Sequence, residues 1–291
     1  MLSKFNPLFF SKSTWLHLRI PYSLCLAPVT FFAFSSADSF GLIKGSLIFI
    51  TLHFFLYPAS QAYNSFYDQD KKSIGGFKEP PLAKKEVLWA SFTFDFFALI
   101  LSLFIGRIFF FSLLLCSFIS KAYSHPLIRL KKRPWLSWIT VAFFQGPFIF
   151  FSVFLSLNEG NFLNIHWLSA LSTFFLFGGA YPMTQIFQHD EDKKRGDKTL
   201  SLILGIKGTF IFSGINFIIG SALLFKYFEV KEMPHFFYLF QLFLFPVIIY
   251  FLYWFILCFK DKKKADYKNC MRLNILSALS FSLFFIFVQF N

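Results

Sequence analysis

Charge is scarce in this chain. Only 15% of its 291 residues are Asp, Glu, Lys or Arg, against about 25% in a soluble domain, so water is not its main solvent. Cysteine is scarce as well. Cys25, Cys116, Cys258 and Cys270 are scattered with no C-x-x-C spacing, which argues against a thiolate metal centre or a disulfide framework and leaves them as small apolar fillers. The paired glycines of "SIGGFKEPPLAKKE" have no strand before them, so this stretch is no Walker or dinucleotide loop. It reads as a flexible connection reaching over a site.

Apolar residues are abundant: 56% of the chain is hydrophobic and the mean hydropathy is +0.58. About 20 apolar residues cross the roughly 30 Å of hydrocarbon in a bilayer. Nine runs approach that length, at about 18–36, 41–66, 86–106, 108–124, 136–156, 166–188, 203–226, 236–258 and 271–289. The expectation is an all-α polytopic membrane protein, a single domain over residues 1–291 with about nine transmembrane helices in one bundle. Pro21, Pro58, Pro147 and Pro182 interrupt the runs, which is tolerated where neighbouring helices satisfy the freed carbonyl groups. The 50 Phe residues read as compositional bias, and no single Phe is given a role.

The net charge of +13 is explained by placement. Assigning alternate connections to one side gathers all but Lys44, Arg107, Lys226 and Lys231 of the 28 basic residues there. That is a positive-inside signal, and it predicts a cytoplasmic N-terminus, in a bacterial inner membrane. The excess then serves topology and attraction to anionic headgroups, not nucleic acid.

Two polar sentences close two of the apolar runs: "YPASQAYNSFYDQDKK" at 57–72 and "YPMTQIFQHDEDKK" at 181–194. Tyr57, Pro58, Ser60, Gln61, Tyr63, Asn64 and Asp68 align with Tyr181, Pro182, Thr184, Gln185, Phe187, Gln188 and Asp192. Four helices separate the copies, which predicts a parallel internal repeat, helices 2–5 echoed by 6–9. On a helix, Gln61, Asn64 and Asp68 share one face, and Gln185, Gln188 and Asp192 are expected to do the same. Two such stripes are expected to face one another across the bundle and line a cavity, because burying them against lipid is expensive. Oxygen donors of this kind suit Mg²⁺ shared with a substrate's phosphates. The lysines around them would hold remaining phosphate charge.

These residues resemble the UbiA superfamily of intramembrane prenyltransferases. The resemblance covers nearly the whole chain and includes "LRIPYSLCLAPV", "YSHPLIRLKKRP", and the ending Gly196, Thr199 and Leu200. It departs from the family's motifs at Ser65 and Lys72 in the first and at Gln188 in the second, each standing where an Asp is usual, while Asp70 is extra. The resemblance implies Mg²⁺-dependent transfer of an isoprenoid group from a prenyl diphosphate to a lipophilic, usually aromatic, acceptor of the quinone, haem or pigment type. Asn64, Asp68, Asp70, Asp190 and Asp192 are the expected metal ligands, with Asn64, Asp68 and Asp192 carrying catalysis. Lys72, Arg129, Lys131, Arg195 and Lys198 are expected on the diphosphate, and Gln61, Tyr123, Gln185 and Gln188 elsewhere on the substrates.

Three residues outside the motifs carry expectations of their own. Asp95, inside the third run, is expected either to face the cavity or to be protonated and bonded to a nearby Ser or Thr. His53 reads as a packed core histidine. Arg19 is expected to snorkel to headgroups. A transporter of small anions or lipid-linked phosphates would also carry an internal repeat, but here the polar stripes collect at one end. A CDP-alcohol phosphotransferase is excluded because its Asp-Gly-x-x-Ala-Arg string does not occur.

Overall fold

The computed structural model describes residues 10–38, 41–159 and 167–291. Lys4 of the inward set and His166 at the start of the sixth run lie outside them. Among the described residues the chain is helical, with one isolated bridge between Ile74 and Phe77. Eight helical spans are long and apolar enough to cross a membrane: α1 (Lys12–Ser36), α2 (Leu42–Asp68), α3 (Lys85–Ile105), α4 (Arg107–Ser124), α5 (Pro134–Leu157), α8 (Leu200–Val230), α9 (His235–Lys260) and α10 (Tyr267–Gln289). Between α5 and α8 lie α6 (Trp167–Gln185) and the short α7 (His189–Arg195). α6 occupies the expected sixth run but is not among those eight, and its composition explains why. It is built on small and polar residues, with Ser169, Ser172, Thr173, Gly178 and Gly179 buried.

The prolines are absorbed by local changes of helix type. A π-turn at Thr51–Leu56 precedes Pro58, and another at Phe144–Phe148 contains Pro147. Proline offers no N–H and crowds the preceding turn; one extra residue per turn accommodates that without ending the helix. In α1 the break falls at Arg19, whose φ is 46°, with Pro21 in the first turn of the next segment.

The chain forms two compact units, Met1–Leu24 with Ser46–Leu130, and Cys25–Gly45 with Lys131–Asn291. In the first, Leu18, Ala59, Ala62, Val87 and Phe94 form a buried apolar cluster. His53 and Ser23 exchange hydrogen bonds through their side chains and backbone carbonyls, the packed histidine expected. Arg19 does not snorkel: its guanidinium donates to the carbonyl oxygens of Gln61 (2.9 Å) and Gly75 (3.2 Å). It thereby ties the "SIGG" loop to α2. Tyr22 lies so close that a Cβ at Gly75 would sit 2.6 Å from its ring and force it to shift, and Gly76 combines a φ of 82° with a Cβ position 2.7 Å from the Tyr22 Cβ, so glycine is required there. In the second unit, α6 and α8 approach through glycine. A Cβ on Gly179 would come within 2.9 Å of the Ser213 carbonyl oxygen, and one on Gly220 within 2.9 Å of Leu176.

Candidate active site

The first unit carries one polar cluster at the end of α2. Asn64 and Asp68 lie on the helical segment Tyr57–Asp68 as expected, and Gln69 closes it in the left-handed conformation. Asp68 is 8% exposed, and Arg129 Nη2 stands 3.7 Å from its carboxylate. Asn64 accepts a hydrogen bond from the Ser124 hydroxyl at 2.6 Å. Gln61 takes a different role from the one expected. With its amide nitrogen turned toward them, it donates to the carbonyl oxygens of Leu18 (3.2 Å) and Arg19 (3.1 Å), sealing the break in α1. Ser65 is buried. Asp70 and Tyr123 are half-buried, and Lys72 is exposed.

Asp95 makes the expected hydrogen bond to a nearby serine, Ser117 of α4, and in addition forms an ion pair with Lys121 of the same helix, which was not expected. The Lys121 ammonium lies 5.2 Å from the centre of the Tyr63 ring. Lys121 therefore belongs to the helix interior and not to the inward-facing surface charge. A carboxylate inside a membrane-spanning helix is expensive unless paired, and the pairing accounts for both residues.

The second unit carries the other cluster, and its geometry departs from the repeat. The helix of the second copy stops at Gln185; Gln188 occupies the N-cap position of a new helix, α7, with φ −102°. Gln185, Gln188 and Asp192 therefore do not form one helical stripe. Gln188 instead accepts backbone bonds from Glu191 and Asp192 through its carbonyl, both 2.9 Å. Asp192 is 4% exposed. It accepts from Arg195 Nη2 at 2.7 Å and from the Thr199 hydroxyl at 3.0 Å. Arg195 also donates to Asp197 at 3.2 Å. Gln185 accepts from the backbone N–H of Ser201 at 3.2 Å, and the Ser201 hydroxyl contacts His189 at 2.8 Å.

Asp197 and Thr199 are partners that the motif reading missed. Asp197 sits in what reads as a solvated loop, yet it is buried at 2% exposure. The signal was Gly196. In the left-handed conformation (φ 69°) it ends α7, and the Asp197 N–H then bonds back to the Asp192 carbonyl at 2.9 Å. This is the helix-closing pattern glycine favours at that position, and it necessarily returns the next residue onto the helix. Thr199 stands at the N-cap of α8 without a side-chain bond to that helix, because its hydroxyl is committed to Asp192. Of the remaining expected residues, Lys131 is buried, whereas Asp190 and Lys198 are exposed.

Burial raises the Asp192 carboxyl above its ordinary value, assisted by Asp197 and opposed by Arg195 and Thr199. His189 is lowered to about 4 by burial and the nearby Lys193, with Asp190 opposing, and so is neutral near pH 7. Among the described residues, no group of three His, Cys, Asp or Glu side chains is placed to hold a metal ion. The described residues alone supply no closed metal cage. Isolated buried carboxylates with an amide oxygen at hand fit Mg²⁺ of the kind that keeps waters and takes phosphate oxygens from its substrate.

The second unit also holds an apolar cavity of about 840 Å³. Met183 of α6, Phe217 of α8, Phe251 of α9, Asn274 of α10 and Cys25 and Phe32 of α1 are among its lining residues. Met183 lies two residues before Gln185, so one end of the cavity adjoins the Asp192 cluster.

A profile of the UbiA prenyltransferase family matches residues 25–276. No curated protein matches the sequence significantly. Among solved structures, a UbiA homolog from Archaeoglobus fulgidus bound to GPP and Mg²⁺ is 20% identical with a TM-score of 0.69, over 96% of this chain and 100% of that one. An apo UbiA homolog from Aeropyrum pernix K1 is 15% identical with a TM-score of 0.71, over 92% and 98%. A digeranylgeranylglyceryl phosphate synthase structure is 18% identical with a TM-score of 0.61, over 94% and 98%. At these identities the likeness speaks for the fold.

Proposed function

This chain belongs to the UbiA prenyltransferase family, and from that premise we propose that it binds a prenyl diphosphate with Mg²⁺ and transfers the isoprenoid group to a lipophilic, aromatic acceptor. The observation that carries this reading is the pairing of one buried carboxylate with one arginine in each polar cluster, Asp68 with Arg129 and Asp192 with Arg195. Without a ligand, each arginine neutralises its buried acid. When a cation and a diphosphate arrive together, each pair can exchange partners. With both bound, the carboxylate would hold the cation and the arginine would hold phosphate oxygens in charge-assisted hydrogen bonds.

Bound Mg²⁺ would supply neutralisation of the charge that develops on the diphosphate as it leaves. The remaining work falls to the chain. In the first unit Asp68 and the Asn64 amide oxygen would hold a cation, with Asp70 as a further oxygen donor, and in the second unit Asp192 would do so, with Asp190. Thr199 orients the Asp192 carboxylate, and Ser124 orients Asn64. Lys72, Lys131 and Lys198 add positive charge for the diphosphate, and Tyr123, Gln185 and Gln188 complete the polar surroundings. The apolar cavity of the second unit takes the hydrocarbon chain and keeps water from the allylic cation. The basic connections orient the protein with its N-terminus and both motifs at the cytoplasmic surface, and the whole chain works as one prenyltransferase domain. Homologous solved structures with GPP and Mg²⁺ or DMAPP and Mg²⁺ support the choice of ligand.

The test is direct binding. Protein in nanodiscs is titrated with labelled geranyl, farnesyl and geranylgeranyl diphosphate, with and without Mg²⁺. At least one chain length should bind only with Mg²⁺, and Asp68→Asn and Asp192→Asn should each weaken it by at least about 10-fold, the lower end of what disturbing a metal site costs. Binding that ignores both the metal and the substitutions would sink the reading.

A further inference from the structure

The cavity in the second unit is apolar along most of its wall, with Thr173, Ser221, Gln241, Asn274 and Ser277 as its polar lining residues. Gln241 projects from α9 into the space lined by Phe225, Phe237 and Phe285. No hydrogen-bond partner reaches its amide among the described residues. Ser221 of α8 and Ser277 of α10 line the same cavity. Ring contacts set the depth. Phe217 meets Phe251 and Phe225 meets Phe237, so α8 and α9 run antiparallel along the cavity. Gln241 lies toward the end away from Met183 and the Asp192 cluster. From Leu252, the lining residue of α9 nearest that cluster, to Gln241 is eleven positions, roughly 16 Å at 1.5 Å per residue.

An uncharged amide inside a membrane-spanning helix, facing a cavity and unpartnered, is not explained by folding: nothing in the fold consumes its hydrogen bonds, and a leucine would pack there at lower cost. We infer that Gln241 is a specificity-determining residue that limits the length of the hydrocarbon chain the cavity accepts. This rests on the prenyl diphosphate reading above, with the diphosphate at the Asp192 end. A short chain gains contact with Phe217, Phe251 and Phe32 and stops before the amide, which keeps whatever water solvates it. A longer chain must cover the amide and strip that water while offering no donor or acceptor in return. The gain from each further isoprene unit is therefore cancelled once the chain reaches Gln241.

The experiment measures dissociation constants for geranyl, farnesyl and geranylgeranyl diphosphate with Mg²⁺ on wild type, Gln241→Met and Gln241→Leu. Methionine keeps the length of the side chain and removes only the amide, so it guards against a packing artefact in the leucine variant. The expected result is that affinity stops rising with chain length in wild type and continues to rise in both variants. The longest chain should gain about tenfold or more relative to the shortest, in line with the penalty for an amide left unpaired. Unchanged ratios between chain lengths, or equal weakening of all three chains, would overturn the inference while leaving the diphosphate reading intact. Absence of binding by every chain would instead bring down that reading, and this inference with it.

Discussion

At the residue scale, the two arginine–carboxylate pairs differ in how firmly they are held. Asp192 receives Arg195 at 2.7 Å and a threonine hydroxyl besides, whereas Arg129 stands off Asp68 at 3.7 Å. Burial nevertheless wins at Asp192 and raises its carboxyl above the ordinary 3.8. The anion that a cation needs is then lost as the pH falls through that raised value, earlier on acidification than at an exposed Asp. His189, lowered to about 4, is neutral near pH 7 and contributes no compensating charge there. Removing the hydroxyl that steadies the carboxylate should raise it further. Thr199→Val is expected to shift the acid limb of Mg²⁺-dependent diphosphate binding upward by about one pH unit, since a hydrogen bond to a charged group is worth roughly 1.5–3 kcal/mol and one unit is about 1.4 kcal/mol. Binding isotherms from pH 5 to 8 on both proteins, with the ligand's own ionisation common to each, would read that shift. An unmoved limb would mean that another group sets the pH dependence.

At the scale of the element, the second copy of the duplicated motif shows how little separates a helix from a break. Tyr57–Asp68 continues unbroken to its carboxylate, while the matching segment ends at Gln185 and restarts at His189. The restart gives α7 three acids in its first turn and three basic residues in its last, the order the helix dipole favours. α6 depends on close approach to its neighbours. Gly179 has the Ser213 carbonyl 2.9 Å from where a Cβ would lie, whereas the nearest atom to a Cβ at Gly214 is 3.9 Å away. Gly179→Ala should therefore lower the unfolding temperature in detergent by several degrees, with overpacking costing about 1–3 kcal/mol. Gly214→Ala should leave it unchanged or raise it, because alanine is the better helix former where there is room. Equal effects at the two sites would remove close helix packing as the reason for these glycines.

At the scale of the whole molecule, the basic residues fall so unevenly that orientation becomes testable through two connections of the second unit. The α8–α9 connection contains Glu232 and the α9–α10 connection contains Lys262, both exposed. With the N-terminus in the cytoplasm, Glu232→Cys should react with a membrane-impermeant thiol reagent in intact cells, and Lys262→Cys only after permeabilisation. The native Cys258 and Cys270 are buried, and Cys25 and Cys116 half-buried, so wild type serves as the background. The reverse pattern would invert the orientation and carry both motifs to the other face.

Membrane character, helix positions and family were legible in the sequence, because each rests on a property of consecutive residues. Twenty apolar side chains in a row have one solvent they can enter, and Asn64 and Asp68 share a face once a helix joins them. Which polar groups meet was decided only by tertiary structure. Asp95 is 26 positions from the Lys121 that neutralises it, and Gln61 spends its amide on carbonyl groups exposed by a break in α1. Gly196 turns Asp197 back out of the solvent, and although the duplicated motif marks Asp192, the run of charges from Asp190 to Lys198 does not show that Arg195 and Thr199 are what it meets. Hydrogen bonds and ion pairs are satisfied by whatever the fold brings within about 3 Å, and sequence spacing predicts that proximity within a helix but not between helices.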